Sequence, residues 1–351
     1  MSAPLRVALV YGGLSSEHDI SIRSAKNVHA ALDPARYRVT PVYIDRAGRW
    51  HVEAPEAAVL LGAEPPAPEA EGSPAEVVAA LARLDADVAF PVLHGQNGED
   101  GTIQGLFETI GLPYVGPGVL ASAACMDKEV TKRLLGEAGI PQGPYLTLAA
   151  HVPAPSYHDV AEILGRTLFV KPANSGSSVG ISKVEAASGW EAALDEAFAY
   201  DRKVLVEAAI PGREIEVAVL GNEHPEASVP GEIVTSSTFY TYHAKYEDPA
   251  ASRMEVPADL PEAVAETLRA LAVDAYRALG CEGMARVDFF LPEAGGPLVN
   301  EINTIPGFTA RSSMYPVMWE RTGLAYADLV DRLIALALDR HARDAALLTS
   351  R

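Results

Sequence analysis

Val170 to Val184 reads VKPANSGSSVGISKV, and the position of its lysine decides how the rest is taken. Lys171 leaves the apolar run LFV. Nine residues with two glycines and three serines follow before the apolar pattern resumes in ISKV. The segment therefore reads as strand, pliable loop, strand. A Walker A loop places its lysine after the glycines, and here the lysine comes first. GSSVG (Gly176–Gly180) also matches the G-x-S-x-G elbow, which would make Ser178 a nucleophile. That elbow needs a strand running straight into the serine and a helix straight after it. Six residues, Pro172 among them, separate LFV from the serines, and a strand pattern follows. Two readings remain. One is a hairpin tip without function. The other is an anion-binding loop, whose backbone N–H groups converge beside a lysine point charge.

A second stretch, MARVDFFLPEAGGPLVNEIN (Met284–Asn303), carries two short strand patterns around PEAGGP, a good hairpin connection. Period-two alternation puts Arg286 and Asp288 on one face, and Glu301 and Asn303 on one face of the partner strand. If those faces coincide, two carboxylates, an amide oxygen and a guanidinium converge. Hard oxygen donors of this kind suit Mg²⁺, which keeps several waters and bridges to substrate phosphates. The bland reading is a surface Arg286–Asp288 ion pair. Phe289, Phe290, Leu298, Val299 and Ile302 around it argue against full exposure, and ionised groups in such a setting need partners.

Earlier in the chain, YGGLSSEHDIS (Tyr11–Ser21) ends the first strand pattern and offers Glu17 and His18. LHGQNGEDGTIQG (Leu93–Gly105) ends a later one and offers His94 and Glu99. Open α/β sheets bind ligands at the carboxyl ends of their strands. Singly, each segment reads equally well as a helix cap, since Ser15, Ser16 and Asp19 are cap-type residues. GPGVLA (Gly116–Ala121) fits a dinucleotide fingerprint, but it follows the fourth strand and no acidic residue ends a later strand at the right distance.

The chain has 351 residues, is 48% hydrophobic, and carries 28 basic against 47 acidic residues, a net charge of −19. That length allows two or three domains with cores of their own. The acidity argues against non-specific nucleic-acid binding, though not against an anion held by a few local cations. Two cysteines, Cys125 and Cys281, make neither a disulfide framework nor a metal pattern. The apolar start is too short for a signal h-region, and no run of 18 apolar residues suggests a membrane span. The expectation is a cytosolic globular protein.

Strand patterns at Leu5–Tyr11, Arg38–Ile44, Asp87–Leu93 and Leu112–Gly116 alternate with helix patterns at Ser21–Leu32, Pro74–Leu84 and Thr102–Ile110. This predicts a parallel sheet with helices on its faces. Glu53–Glu76, rich in Pro, Ala and Glu, reads as a solvated connection. A helix is expected over Val119–Gly139, ending at a GIPQGP boundary. Beyond Thr167 strands follow one another directly, which predicts antiparallel pairing. Long helices are expected at Pro261–Leu279 and Ala325–Arg343.

In this order the segments resemble D-alanine–D-alanine ligases of the ATP-grasp superfamily, over nearly the whole chain. The lysine with its Gly/Ser loop and the Asp…Glu-x-Asn hairpin carry the ATP-grasp likeness. GGLSSEHDIS, LHGQNGEDGTIQG, FYTYHAKY and NEINTIPGFT carry the narrower one. The resemblance implies an N-terminal open parallel-sheet, Rossmann-like domain (residues 1–122). A two-lobed α+β ATP-grasp domain follows, with a central lobe at 123–208 and a C-terminal lobe at 209–351. It implies ATP, two Mg²⁺ or Mn²⁺ ions and, as a further ion, a monovalent cation. It also implies D-alanine as substrate, a cytoplasmic homodimer, and no nucleic-acid or membrane partner. D-alanine–D-lactate or another carboxylate–amine ligation stands as the alternative.

By the same resemblance Lys128, Lys171, Ser177, Ser178 and Lys245 hold the phosphates. Glu207, Ala209 and Ile210 line the adenine site, and Glu214 meets the ribose. Asp288, Glu301 and Asn303 bind the metals. Glu17 takes the first substrate's ammonium and is linked to Ser177 and Tyr246 in a lid-latching triad. His94, Glu99 and Gly307 complete the substrate site, and Arg286 stabilises the oxyanion. The second substrate's carboxylate falls to Ser313 and Met314, with Ser312 as the alternative, because ARS places three residues where the family has two. Ala208 and Ala209 stand where the family has a lysine and an aromatic residue.

Overall fold

The structure is a computed structural model that describes residues 3–52, 57–60, 74–81, 84–177, 179–235 and 252–347. The chain opens with β1 (Leu5–Gly12), α1 (His18–Ala31), β2 (Tyr37–Ile44) and β3 (Trp50–Val52). There follow α2 (Ala57–Leu60), α3 (Pro74–Leu81), β4 (Val88–Pro91) and α4 (Thr102–Thr109). β1 pairs in parallel with both β2 and β4. The apolar β1 is buried on both faces, as a central parallel strand must be. Gly12 ends it at φ 92°, and a side chain there would strike the Ile44 carbonyl at 2.1 Å.

The first sheet is mixed rather than wholly parallel, because β3 adds antiparallel to β2 at the edge. Only three residues long and part-buried throughout, β3 is too short to show a period. Asp45 makes its turn by accepting from the N–H groups of Ala47 and Arg49. The strand expected at Leu112–Gly116 is a single parallel bridge, Tyr114 to Ala89. Pro113 has no N–H to extend the ladder.

The helix expected over Val119–Gly139 is two, α5 (Val119–Met126) and α6 (Lys128–Glu137). Between them Asp127 turns extended, at φ −80° and ψ 99°. Its carboxylate accepts from the N–H groups of Glu129 and Val130, the usual work of a helix N-cap. Lys203 donates to the same carboxylate at 2.5 Å. The break matters because it makes Lys128 the first residue of a new helix.

Then come β5 (Tyr145–Ala149), α7 (Tyr157–Leu164), β6 (Leu168–Pro172), β7 (Ser182–Val184), α8 (Trp190–Tyr200) and β8 (Lys203–Ala208). The strands form an antiparallel sheet in the order β5-β8-β6-β7. β6 and β7 are the hairpin expected around the Gly/Ser loop, with Val170 opposite Ser182. The last part adds β9 (Gly212–Gly221), β10 (Glu226–Ala227), β11 (Gly231–Thr235) and β12 (Ser252–Glu255). It continues with α9 (Glu262–Ala278), β13 (Gly283–Pro292), β14 (Leu298–Asn303), α10 (Met314–Thr322) and α11 (Tyr326–Ala345).

The third sheet runs β12-β11-β9-β13-β14, with β10 on β9. Ile215, Val217, Val219, Val287 and Phe289 face α9 and pack on Leu268, Ala272 and Tyr276. The alternate residues Ala218, Leu220 and Met284 turn the other way, into a core shared with β1, α10 and α11. The sheet is thus covered on both sides, and its even-numbered polar residues, Glu216, Arg286 and Asp288, are carried inward with that second face. Cys125 and Cys281 are free thiols in the core on the α9 side, their sulfur atoms 3.7 Å apart. Among the described residues no helix is long and apolar enough to cross a membrane.

Asp127→Ala removes the α6 cap and leaves two N–H groups unpaired. Calorimetry should show a melting temperature lower by roughly 1–2 °C, as a lost cap of about 1 kcal/mol gives in a chain of this size. Amide exchange should quicken at Glu129 and Val130.

Candidate active site

A cavity of about 950 Å³ is lined by residues of the second and third sheets, together with Glu17 and α1 and the segment after β4. Its floor is the β9-β13-β14 ladder. Asp288 stands opposite Glu216 on one side and Glu301 on the other, so three carboxylates form one row across three strands. Arg286 stands in the next row, opposite Asn303. The two faces expected to coincide do so. Arg286 Nε lies 2.7 Å from Asp288 and 3.0 Å from Glu216, and its Nη2 donates to Asp288 at 2.7 Å. Asn303 donates to Asp288 at 2.9 Å. Burial works against the Arg286 charge, but Asp288 and Glu216 outweigh it and hold the guanidinium ionised well beyond its ordinary range.

The opposite wall is cationic. Lys128, at the start of α6, donates to the Ser175 carbonyl at 2.6 Å and lies 4.0 Å from Glu301. Burial pushes its ammonium below the ordinary lysine value, with Glu301 pulling the other way. Lys171, at the end of β6, meets Glu207 of β8 at 2.5 Å. Lys132, one turn along α6 from Lys128, meets the other oxygen of Glu207 at 2.8 Å. Burial works to raise the Glu207 carboxyl, yet Lys171 and Lys132 overcome it and bring it down to about 2. Past Glu207, the Ala209 N–H donates to the Thr167 carbonyl, and Ala208, Ala209, Ile210 and Glu214 continue the wall.

The Gly/Ser loop crosses above. Ser177 sits in the left-handed region at φ 51°, and a Cβ at Gly176 would come within 3.7 Å of Glu17 Oε2. The loop therefore reaches from the cationic wall to Glu17, the buried residue that caps α1.

Around Glu17 lies a clamp between the first sheet and the segment after β14. His94 Nδ1 donates to the Ile305 carbonyl at 2.9 Å, which fixes the tautomer. Its Nε2 then accepts from Ser24, 3.0 Å away, while Ser24 accepts from the Phe308 N–H. Both ring nitrogens are thus engaged, and His94 acts here by holding the 305–308 turn. Glu99 spans the same gap, accepting from the N–H groups of Gly95 at 2.7 Å and Ile305 at 3.3 Å. Burial, then the neighbouring charge of Glu17, pushes the Glu99 carboxyl up to about 8. Gly307 must lack a side chain, since a Cβ would lie 2.9 Å from Ser313 Oγ. Ser313 precedes α10, whose first residue is Met314, and accepts from the Thr309 N–H at 3.0 Å. Ser312 also lines the cavity.

Asp288, Glu301 and Asn303 offer oxygen donors only, and the carboxylate row has like charges directly opposite, an arrangement that needs cations. Among the described residues no cluster of three His, Cys, Asp or Glu side chains makes a metal cage. Two carboxylates and an amide instead fit an ion that brings phosphate oxygens and waters of its own, as Mg²⁺ does. Ser178, Lys245 and Tyr246 lie outside the described residues.

The cavity residues that went unread in the sequence include Lys132, Glu216 and Asn300. Spacing of four from Lys128 was the available signal for Lys132. Alternation along EIEVAVLG gave one for Glu216. Asn300 had none. It is the extra residue where the β13–β14 register shifts between Asp288 and Phe289, and its buried Oδ1 has no hydrogen-bond partner among the described residues.

The chain matches two family profiles, D-ala D-ala ligase N-terminus over residues 6–117 and D-ala D-ala ligase C-terminus over residues 134–335. D-alanine–D-alanine ligase A of Escherichia coli K12 is 49% identical, with 99% of each chain covered. The solved D-alanine–D-alanine ligase of Coxiella burnetii superposes with a TM-score of 0.84 at 39% identity, covering 98% of this chain and 97% of that one. A Bacillus anthracis D-alanine–D-alanine ligase solved with ATP superposes with a TM-score of 0.77 at 27% identity, covering 97% and 99%.

A carboxyl whose folded pKa is raised favours the fold only while it is protonated. The Glu99 contribution is therefore full below its ordinary 4.5 and is lost as pH rises toward about 8. Glu99→Gln cannot ionise. Its melting temperature relative to wild type should rise by roughly 2–4 °C between pH 5 and pH 8.5, measured without ligands.

Proposed function

The chain belongs to the D-alanine–D-alanine ligase family, and from that premise we propose a division of labour among its cavity residues. It is an ATP-dependent, ADP-forming ligase that joins two D-alanines through a D-alanyl phosphate for peptidoglycan synthesis. One observation supports the residue assignment above the rest. A single cavity sets a lysine wall and a Gly/Ser loop against a carboxylate row, with Glu17 at its far end.

In the first step a D-alanine carboxylate oxygen attacks the γ-phosphorus, the bond to the bridging oxygen breaks, and ADP leaves. In the second the other D-alanine's amine attacks the acyl carbon, inorganic phosphate leaves and the amine gives up a proton. Both steps bring anions together, so positioning and charge neutralisation dominate the catalysis. Lys128 and Lys171 hold the phosphates from one side, and the N–H groups of the Gly/Ser loop cover them. Lys245 completes that set. Glu207, Ala209 and Ile210 take the adenine, and Glu214 the ribose. Asp288, Glu301 and Asn303 hold two Mg²⁺ or Mn²⁺ ions, which supply charge neutralisation at the phosphates when bound. A monovalent cation is proposed beside them.

Glu17 takes the ammonium of the first D-alanine, with Ser177 and Tyr246 joined to it. Asp288 and Glu216 engage Arg286 through Nε and Nη2, and the guanidinium so held stabilises the carbonyl oxygen that becomes an oxyanion. His94 and Glu99 keep the 305–308 turn against the first sheet. Ser313 and the Met314 N–H, at the start of a helix, take the second carboxylate, with Ser312 as the alternative. The three-part division at residues 122 and 208, the homodimer and the cytoplasmic location belong to the same proposal.

Glu301→Gln and Asp288→Asn each take one negative charge from the carboxylate row. Each should lower kcat by about 100-fold or more in saturating Mg²⁺, with the fold retained by circular dichroism. Phosphate release should require D-alanine and not occur with L-alanine. With D-lactate in excess at pH 7, the product should be the dipeptide amide. Ester as the main product would overturn the acceptor assignment.

A further inference from the structure

Lys132 lies almost wholly inside the protein, its side chain 3% exposed. Its ammonium stands 5.3 Å from the centre of the Tyr145 ring, and its own carbonyl accepts from the Gln142 side chain at 2.6 Å. Among the described residues it forms one ion pair, with Glu207. Lys171 pairs with the second oxygen of the same carboxylate. Two buried ammonium groups therefore share one carboxylate, an excess of one positive charge at the cavity wall. A charge that costs so much to bury and repels its neighbour is poorly explained as a stabilising pair alone.

The two lysines differ in where else they can go. Lys171 opens the Gly/Ser loop and faces the cavity that receives phosphates. When a polyphosphate enters, its charge is divided between that anion and Glu207. Lys132 is anchored on α6, one turn inward from Lys128, packed against Tyr145 and turned to Glu207 alone. If Lys171 were the sole partner, the nucleotide would draw away the charge that holds Glu207 at the moment the base arrives. A buried carboxylate left without a partner is strongly disfavoured.

We infer that Lys132 is a positioning residue that holds Glu207 in place while Lys171 serves the phosphates, and that it thereby sets the preference for adenine over other purines. The inference rests on the reading of Glu207 as the contact to the adenine amino group. A carboxylate held by Lys132 keeps a fixed acceptor for that amino group and repels a base that presents an oxygen in its place. The excess charge of the ligand-free pocket is then the reserve on which the phosphates draw. Lys132 touches neither the phosphates nor the reacting atoms, so its loss acts on nucleotide choice and affinity rather than on the chemical step.

The test compares ATP with inosine triphosphate, in which an oxo group replaces the amino group, using the full-length enzyme with D-alanine saturating. Wild type should favour ATP in kcat/KM by about 100-fold or more, as a site built around a substrate N–H does. Lys132→Met should raise KM for ATP by roughly 10- to 100-fold, the range for a lost bond to a charged group. Its kcat should stay within about threefold of wild type, and its kcat/KM for inosine triphosphate should change little, so that the preference collapses. Lys132→Arg should restore most of the preference.

Equal losses with both nucleotides in Lys132→Met would mark a structural role and overturn the inference. So would an unchanged preference in that variant while Glu207→Gln loses it, which leaves the adenine reading of Glu207 intact. An unchanged preference in Glu207→Gln would instead overturn the adenine reading and the inference with it. Should Lys132→Met not fold, judged by its melting curve, Lys132→Gln carries the same comparison.

Discussion

Three carboxylates in a row across neighbouring strands are the constraint on which this molecule is built. Glu216, Asp288 and Glu301 stand side by side on β9, β13 and β14, on the inward face of a sheet covered on both sides. Like charges directly opposite each other destabilise a ladder, and burial makes the conflict worse. The protein answers with Arg286 between two of the carboxylates and Lys128 within 4.0 Å of the third. The answer is incomplete by design of the row itself, since Arg286 must serve both Glu216 and Asp288. A site that binds cations together with phosphates is the arrangement in which such a row becomes favourable.

The cations arrive from elsewhere in the chain, and this explains several details of the fold. Lys128 reaches the cavity because Asp127 stops α5 and starts α6 in a new direction. Lys171 reaches it because β6 ends there and hands the chain to a loop that cannot be helix or strand. Each device uses a residue that a continuous element would not tolerate: an extended Asp127 between two helices, and Ser177 with positive φ in the loop. Glu207 then binds the two sources together, taking Lys132 from α6 and Lys171 from β6. The positive wall is thus a tertiary object, lysines from two elements held by a carboxylate on a third, β8.

What the sequence disclosed follows from the range of the interactions. The β6–β7 hairpin was legible because a lysine before the glycines, with a strand after them, excludes the helix-starting alternatives by local geometry alone. Arg286, Asp288, Glu301 and Asn303 were legible because a two-residue period assigns faces within a hairpin, and the register that joins those faces is itself local. Glu216 was not, since its place in the row depends on how β9 aligns with β13. The β13–β14 irregularity at Asn300 leaves no trace in a pattern of apolar and polar residues. The break at Asp127 was hidden by an apolar period that runs unbroken from α5 into α6. Lys132 had the right spacing, but spacing alone does not say that a carboxylate waits opposite. The roles of Lys245 and Tyr246 rest on resemblance throughout, as does the wider domain division.

The clamp around Glu17 shows how binding and chemistry are joined. His94 and Glu99 lie in the segment after β4 and Ser24 on α1, yet their partners are Ile305 and Phe308, just past the carboxylate row on β14. Any shift of the first sheet therefore moves the segment that leads from Glu301 and Asn303 to Ser313. Burial, then the charge of Glu17, pushes the Glu99 carboxyl up to about 8, with Arg286 pulling the other way, so that two carboxylates compete for charge within the clamp. The ammonium proposed to sit at Glu17 would offset the repulsion between the two carboxylates and favour a second ionised group. A charged Glu99 binds the Gly95 and Ile305 N–H groups more strongly than a neutral one. On the proposed reading of Glu17, filling that end of the cavity would therefore tighten the contact between the segment after β4 and the turn that follows Asn303.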